Sequence, residues 1–141
     1  MKISAFLDTN VFIYAFEYPE SNSANIIKLL NEDMIKGIIS TQVTKGGYNY
    51  FKKHYSKELA DKFRKYLIES CIIIPRSMVL KEMNRIRNNI KAKDLEQIAV
   101  AKKLNLKYLI SYDRDFEMFS EYFTQKRFLE EIGEEILERE Y

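Results

Sequence analysis

Four aspartates in this sequence have the type and spacing to do chemistry. Asp8 directly follows an apolar run, Asp94 opens a segment with the apolar spacing of a helix, and Asp113 and Asp115 follow another apolar run. In α/β proteins such strand-end side chains point into a crevice at the carboxyl edge of the sheet, where ligands bind. Carboxylate oxygens are the ligands that Mg²⁺ and Mn²⁺ prefer. The sequence therefore predicts one metal-sized pocket built from three distant segments.

Such a pocket is suited to the hydrolysis of a phosphodiester. A divalent ion generates hydroxide near neutral pH and neutralises the charge on the phosphoryl oxygens. Carboxylates that are buried together repel one another, so a bound metal ion or a proton on one of them relieves the site. We assign Asp8, Asp94 and Asp113 as metal ligands, with Asp115 as a fourth catalytic acid. For Asp94, a purely structural role as the N-cap of its own helix is an equal alternative.

The elements that position these aspartates alternate along the chain. Short apolar runs at 3–7, 37–40, 71–74 and 108–111 are separated by segments with helical periodicity, and 122–123 is a further short strand. This alternation predicts an α/β fold with a parallel sheet covered by helices. The predicted helices are 23–34, 57–70 with Ser56 as its N-cap, 94–104, and a last one between Thr124 and Tyr141.

Length and composition limit the class of protein. The 141 residues, 46% of them hydrophobic, predict a single domain over 1–141. A net charge of +2 excludes a polycation that binds nucleic acid by bulk charge. The lone cysteine, Cys71, excludes an internal disulfide and a multi-cysteine zinc site. With no signal peptide and no membrane-length apolar run, we expect a cytoplasmic protein that does not contact membranes.

A basic segment runs directly into Asp94. Its cations can bind the phosphates of a nucleic acid or form a solvated helix face, and the sequence leaves both readings open. The candidate RNA-binding residues are Arg85, Arg87, Lys91 and Lys93.

Four motifs in order along the chain resemble those of the PIN domain family. They are Leu7–Val11, Ile39–Val43, Asp94–Ala101 and Leu109–Phe116. The resemblance implies a three-layer, Rossmann-like parallel sheet flanked by helices. It also implies a metal-dependent endoribonuclease with one or two Mg²⁺ or Mn²⁺ ions. The small format is similar to that of the toxins of type II toxin–antitoxin pairs, so RNA, an antitoxin protein and a second copy of the chain in a homodimer are the expected partners.

The resemblance also implies roles for individual residues. Asp8, Asp94 and Asp113 match the metal-binding acids of the family, and Asp115 is a neighbour of the third. Supporting polar positions that orient these acids are matched by Thr9, Asn10 and Ser111.

One family acid is missing. The helix after the second strand usually supplies a glutamate, and its position here is Gly46, followed by Gly47. Two glycines weaken a helix by roughly 1 kcal/mol each relative to alanine, so they also suggest a break or a close backbone approach. The alternative function is therefore a catalytically weakened PIN-like module that binds RNA or protein. A haloacid dehalogenase-type phosphatase ranks low, because that fold requires an acid where this chain has Asn10.

Overall fold

The computed structural model describes residues 2–141 and contains a five-stranded sheet in which every pair of neighbouring strands is parallel. The spatial order is β3-β2-β1-β4-β5. The strands are β1 (Ile3–Leu7), β2 (Ile35–Ser40), β3 (Cys71–Ile74), β4 (Tyr108–Ile110) and β5 (Tyr122–Phe123).

Helices fill the connections between the strands. Short 3₁₀ turns lie at Arg76–Met78 and Arg114–Phe116. The α-helices are α1 (Thr9–Glu17), α2 (Asn22–Asn31), α3 (Thr41–His54), α4 (Lys57–Ser70), α5 (Leu80–Ile86), α6 (Ala92–Lys103) and α7 (Gln125–Glu131).

The strand order reverses at β1, and this creates the crevice that matters for function. From β1 the chain moves outward through β2 to β3, and then returns to place β4 on the other side of β1. Ala5 on β1 accordingly lies opposite both Gly37 on β2 and Tyr108 on β4. Beyond the strand ends, the backbone N–H of Asp8 donates to the carbonyl of Ile110 at 3.0 Å. Asp8 therefore sits at the point where parallel α/β sheets bind ligands.

Helices pack against the sheet over one continuous apolar core. Helix α6 contacts β1, β2 and β4, while α2 and α7 contact each other and also pack on the sheet. The side chains of Phe6, Leu7, Ile39, Leu109 and Ile110 in the strands are fully buried. This arrangement confirms the predicted Rossmann-like fold with a helix-covered parallel sheet.

Local capping explains where several helices begin. The Ser56 hydroxyl accepts from the backbone N–H of Leu59, which confirms the predicted N-cap of α4. Ser40 and Thr124 cap α3 and α7 in the same way. The short strand β5 is also present where the sequence predicted it.

Three predicted helices have different bounds, and the helix predicted at 23–34 is α2, which ends at Asn31. Helix α6 starts at Ala92, so Asp94 is in its first turn and the N-cap position belongs to Lys91. The prediction that the last helix extends toward Tyr141 is wrong. Helix α7 ends at Glu131, and Gly133 follows with a φ of +81°, a conformation that favours glycine and stops a helix.

The segment after Gly133 is held by contacts that are distant in sequence. The Asn22 side chain donates to the carbonyls of Leu137 and Arg139 and accepts from the backbone N–H of Leu137.

Within the described residues, no helix has the length and apolar character to cross a membrane.

Candidate metal centre

Three of the four predicted acids form a tight cluster. Asp94 comes from the first turn of α6, and Asp113 and Asp115 come from the turn that follows β4. One carboxylate oxygen from each lies within 4.8 Å of those of the other two. Asp94 is buried, whereas Asp113 and Asp115 are partly exposed. The cluster is therefore open to solvent on one side and closed by α6 on the other.

Asp8 is joined to this cluster through a serine. The hydroxyl of Ser111 donates to Asp8 Oδ2 at 2.7 Å and accepts from the backbone N–H of Asp113 at 2.9 Å. The other oxygen of Asp8 accepts from the backbone N–H of Thr9. Asp8 is buried, with 6% of its surface exposed. Its carboxylate lies behind the cluster and has a fixed orientation.

Asn10 holds the same network from a second direction. Its amide nitrogen donates to the Ser111 hydroxyl at 3.1 Å and its amide oxygen accepts from the backbone N–H of Tyr112. Gln125 on α7, which is fully buried, also donates to that oxygen. Asn10 thus connects the end of β1 to the turn after β4. No pattern in the sequence indicated this hydrogen bond from Gln125.

Burial and like charge make this site costly without a cation. Burial raises the pKa of Asp8 to about 6, against hydrogen bonds from Ser111 and Thr9 that lower it and with nearby Asp94 and Asp113 adding to the increase. Burial is also the main cause that raises the pKa of Asp94. Both groups resist ionisation, which is the expected behaviour of carboxylates brought together to share a positive ion.

The donor set fits a hard divalent cation. The three clustered ligands are carboxylates, and oxygen-only sites suit Mg²⁺ and Mn²⁺. A positive group already lies among them, since the ammonium of Lys93 is 2.8 Å from Asp94, 3.0 Å from Asp113 and 3.4 Å from Asp115. Lys91 contacts Asp115 alone, at 3.2 Å. The carboxylates already bind two lysine ammonium groups, and their oxygen atoms are suitable ligands for a metal ion.

The basic residues of the predicted RNA-binding segment are divided between two places. Lys91 and Lys93 point to the carboxylates, whereas Arg85 on α5 and Arg87 just after it are exposed. The two arginines remain accessible to an anion from solvent.

The position of the missing family acid faces the same region. A Cβ atom on Gly46 would lie 3.5 Å from Thr9 Oγ1, directly beside Asp8, in ordinary van der Waals contact. Helix α3 runs through both glycines without a break. Gly47 provides the close approach, because a Cβ there would lie 2.2 Å from Phe63 Cε2.

Glu96 is buried against the start of α3. Its place one turn along a helix whose apolar positions lie elsewhere predicts an outward, solvated side chain, and this prediction is wrong, because only 3% of its surface is exposed. Its carboxylate accepts from the Thr41 hydroxyl at 2.8 Å and the backbone N–H of Gln42 at 2.9 Å, with Arg76 at 3.5 Å. Glu96 therefore ties α6 to the start of α3, and no local pattern indicated that contact.

A family profile matches most of the chain. The sequence profile of the PIN domain family matches residues 5–121. No curated protein has a matching sequence.

Solved structures share the fold. A DNA-bound VapBC from Salmonella typhimurium has a TM-score of 0.70 at 15% identity, covering 89% of this chain and 99% of that one. A toxin–antitoxin complex from Klebsiella pneumoniae has a TM-score of 0.68 at 19% identity, covering 86% and 97%. VapC20 of Mycobacterium tuberculosis, a toxin that cleaves the sarcin–ricin loop, has a TM-score of 0.63 at 10% identity, covering 81% and 93%. At these identities the comparison establishes the fold.

Proposed function

Because the chain belongs to the PIN domain family, we propose that it is a metal-dependent endoribonuclease that hydrolyses phosphodiester bonds in RNA. The observation that carries the proposal is the convergence of Asp94, Asp113 and Asp115, with Asp8 held behind them at the sheet's switch point. Three oxygen ligands on the solvent-open side of a crevice can hold an ion and still leave room for a phosphate.

Each residue has a distinct task in this proposal. Asp94, Asp113 and Asp115 would hold Mg²⁺ or Mn²⁺, with Asp8 as the inner acid. When bound, the ion supplies a water of lowered pKa and neutralises charge on the phosphate. Ser111 and Asn10 keep the acids in position through the hydrogen bonds described above. The exposed Arg85 and Arg87 are placed to bind the RNA backbone.

The test is RNA cleavage by an Asp94→Asn variant. Asparagine keeps the size of the side chain but removes the charge that holds an ion, so we expect cleavage in Mn²⁺ to fall on the order of a hundredfold or more. Glu117→Gln is the matched control, since Glu117 is an exposed neighbour that pairs with Arg114. Equal cleavage by both variants would show that Asp94 is not part of the metal site.

A specific observation favours a second candidate, a catalytically weakened binding module. Gly46 puts no side chain beside Thr9, where the family glutamate is expected. Because the space is open to a Cβ, Gly46→Glu should fold, bind Mn²⁺ more tightly and cleave RNA faster than the wild type. Gly46→Gln is the control without added charge. A wild type with no cleavage and an active Gly46→Glu variant would favour the binding module.

We extend the proposal to partners: an antitoxin protein and a homodimer. The similar structures include toxin–antitoxin complexes. A groove of about 310 Å³ between α1, α2, α3 and α4 offers apolar surface for a partner segment, lined in part by Phe12, Phe16, Leu59 and Phe63. Light scattering of the purified chain should give twice the mass of one chain.

A growth test addresses the toxin assignment. Bacteria that express the wild-type protein should stop growing, and bacteria that express Asp94→Asn should continue to grow.

A further inference from the structure

We propose that Lys93 competes with the divalent cation for the carboxylates and couples metal binding to RNA binding. The inference rests on the proposed nuclease function and concerns the same site. In the absence of RNA the ammonium of Lys93 occupies the cation position. When RNA binds, a phosphate attracts Lys93 outward, and the carboxylates become available to the metal ion.

The first support is the match between donors and acceptors. An ammonium group has three N–H donors, and Lys93 Nζ contacts the Oδ2 atoms of Asp94, Asp113 and Asp115. Asp113 Oδ1 accepts from the backbone N–H of Asp115. Lys93 therefore contacts the Asp113 oxygen that faces the other two carboxylates of the cluster.

The second support is that the ammonium and a metal ion cannot share this position. The three contacts of Lys93 are 2.8–3.4 Å long, and the clustered oxygens lie within 4.8 Å of one another. An ion coordinated by these oxygens would lie against the ammonium, and two like charges at such a distance repel strongly. Metal binding therefore requires Lys93 to move.

The third support is that Lys93 is free to move. Its side chain is 58% exposed and carries a flexible four-carbon stem. Leaving the cluster would not disturb the core, and the ammonium would then lie at the rim of the site. An RNA phosphate placed for cleavage would be its nearest new partner. Lys93 thereby changes from a competitor of the metal ion to a ligand of the substrate.

Calorimetric titration of Mn²⁺ into Lys93→Met tests the competition. Methionine has a similar length without the charge, and we expect the variant to bind Mn²⁺ about tenfold more tightly than the wild type. Lys91→Met is the matched control with a smaller expected gain, because Lys91 contacts only Asp115. Equal affinities for Lys93→Met and wild type, or a weaker affinity for the variant, would overturn the proposal.

Linkage in the wild-type protein tests the coupling without any variant. A single-stranded DNA oligonucleotide serves as the probe, and gel electrophoresis of each titrated sample checks that it stays intact. We expect it to raise the Mn²⁺ affinity of the wild type several-fold, and Mn²⁺ to raise its affinity by the same factor. In Lys93→Met the effect should be largely lost. An oligonucleotide that binds the wild type and leaves its Mn²⁺ affinity unchanged would overturn the coupling, as would one that does not bind.

These outcomes separate the inference from the proposed function. If the wild type binds Mn²⁺ and cleaves RNA but Lys93→Met has unchanged affinity, only the inference is wrong. If Lys93→Met binds Mn²⁺ more tightly and no RNA is cleaved by either protein, the competition between Lys93 and the metal ion stands and the nuclease proposal is wrong.

Discussion

Ser111 connects the acids of this site at the level of single residues. Its hydroxyl donates to Asp8 and accepts from Asn10 and from the backbone N–H of Asp113. One hydroxyl thus fixes the inner carboxylate and the turn that carries two outer ones. Burial of the inner acid, Asp8, raises its pKa, and the stability of the protein therefore depends on pH.

The Asp8 carboxyl should make stability fall as pH rises. Its pKa in the folded protein is about 6, above the ordinary value of 3.8. Well below pH 3.8 the group is protonated in both the folded and the unfolded chain. Between pH 4 and 6 only the unfolded chain ionises, so the free energy of unfolding declines, by about 3 kcal/mol in total. In metal-free buffer, Asp8→Asn should gain that amount relative to wild type between pH 4 and 7.

Chemical denaturation at several pH values with a chelator present measures this difference. The absolute difference at one pH also includes hydrogen bonds to Ser111 and Thr9 that asparagine cannot reproduce fully, so the change with pH is the diagnostic quantity. A constant difference between the two proteins from pH 4 to 7 would contradict the raised pKa of Asp8.

Glu96→Gln should destabilise the protein. The carboxylate accepts two hydrogen bonds, from Thr41 and Gln42, and hydrogen bonds to a charged group contribute about 1.5–3 kcal/mol. Urea denaturation should show a loss of that order. Arg76→Gln is the comparison, with a loss of under about 1 kcal/mol, since Arg76 is largely exposed. A Glu96→Gln loss no larger than that of Arg76→Gln would mean that the buried contact to α3 contributes little.

At the level of elements, two adjacent glycines in α3 have opposite roles. Gly46→Ala should raise the free energy of unfolding by about 0.5–1 kcal/mol, because alanine favours the helix and its Cβ meets Thr9 at an ordinary distance. Gly47→Ala should be less stable than Gly46→Ala by about 1–3 kcal/mol, because its Cβ would collide with Phe63. Thermal denaturation of both variants measures the difference, and equal stability would show that Phe63 moves aside freely.

Sequence predicts the elements whose signals are local. Strands β1 and β3 and helix α4 match their predicted bounds, because apolar spacing and the Ser56 cap are contained within each segment. The end of α7 was predicted wrongly. Gly133 stops the helix, and Asn22, more than a hundred residues earlier, holds the chain that follows. Contacts across such separations leave no periodicity to read.

In the candidate site, too, the positions with local signals could be predicted and the contacts between distant residues could not. The strand-end positions of Asp8 and Asp113 could be predicted, because strand alternation fixes which edge of a parallel sheet they share. The buried contact of Glu96 with Thr41, 55 positions away, could not. Nor could the position of Lys93 among three carboxylates, since a basic run next to Asp94 is equally consistent with a solvated face. Which side chains Glu96 and Lys93 contact is decided by the tertiary fold.

At the scale of the whole molecule, the sheet brings together acids that the unfolded chain keeps far apart. Asp8 and Asp113 are separated by more than a hundred positions, yet one serine contacts both. A divalent ion held by several of these acids, as proposed above, would therefore bind the folded state in strong preference to the unfolded one. The proposed metal binding would link ion concentration to global stability for this reason.

Mn²⁺ should consequently raise the melting temperature of the wild-type protein. At a free concentration a hundred times the dissociation constant, binding adds about 2.7 kcal/mol to the free energy of unfolding. For a chain of this size that corresponds to a rise of roughly 5–10 °C, measured by calorimetry. Asp94→Asn should lose most of the rise, because one of the three clustered ligands is neutral, while Glu117→Gln should keep it. An equal rise in all three proteins would place the stabilising ion elsewhere on the molecule, since Glu117 and Asp94 differ in whether they belong to the carboxylate cluster.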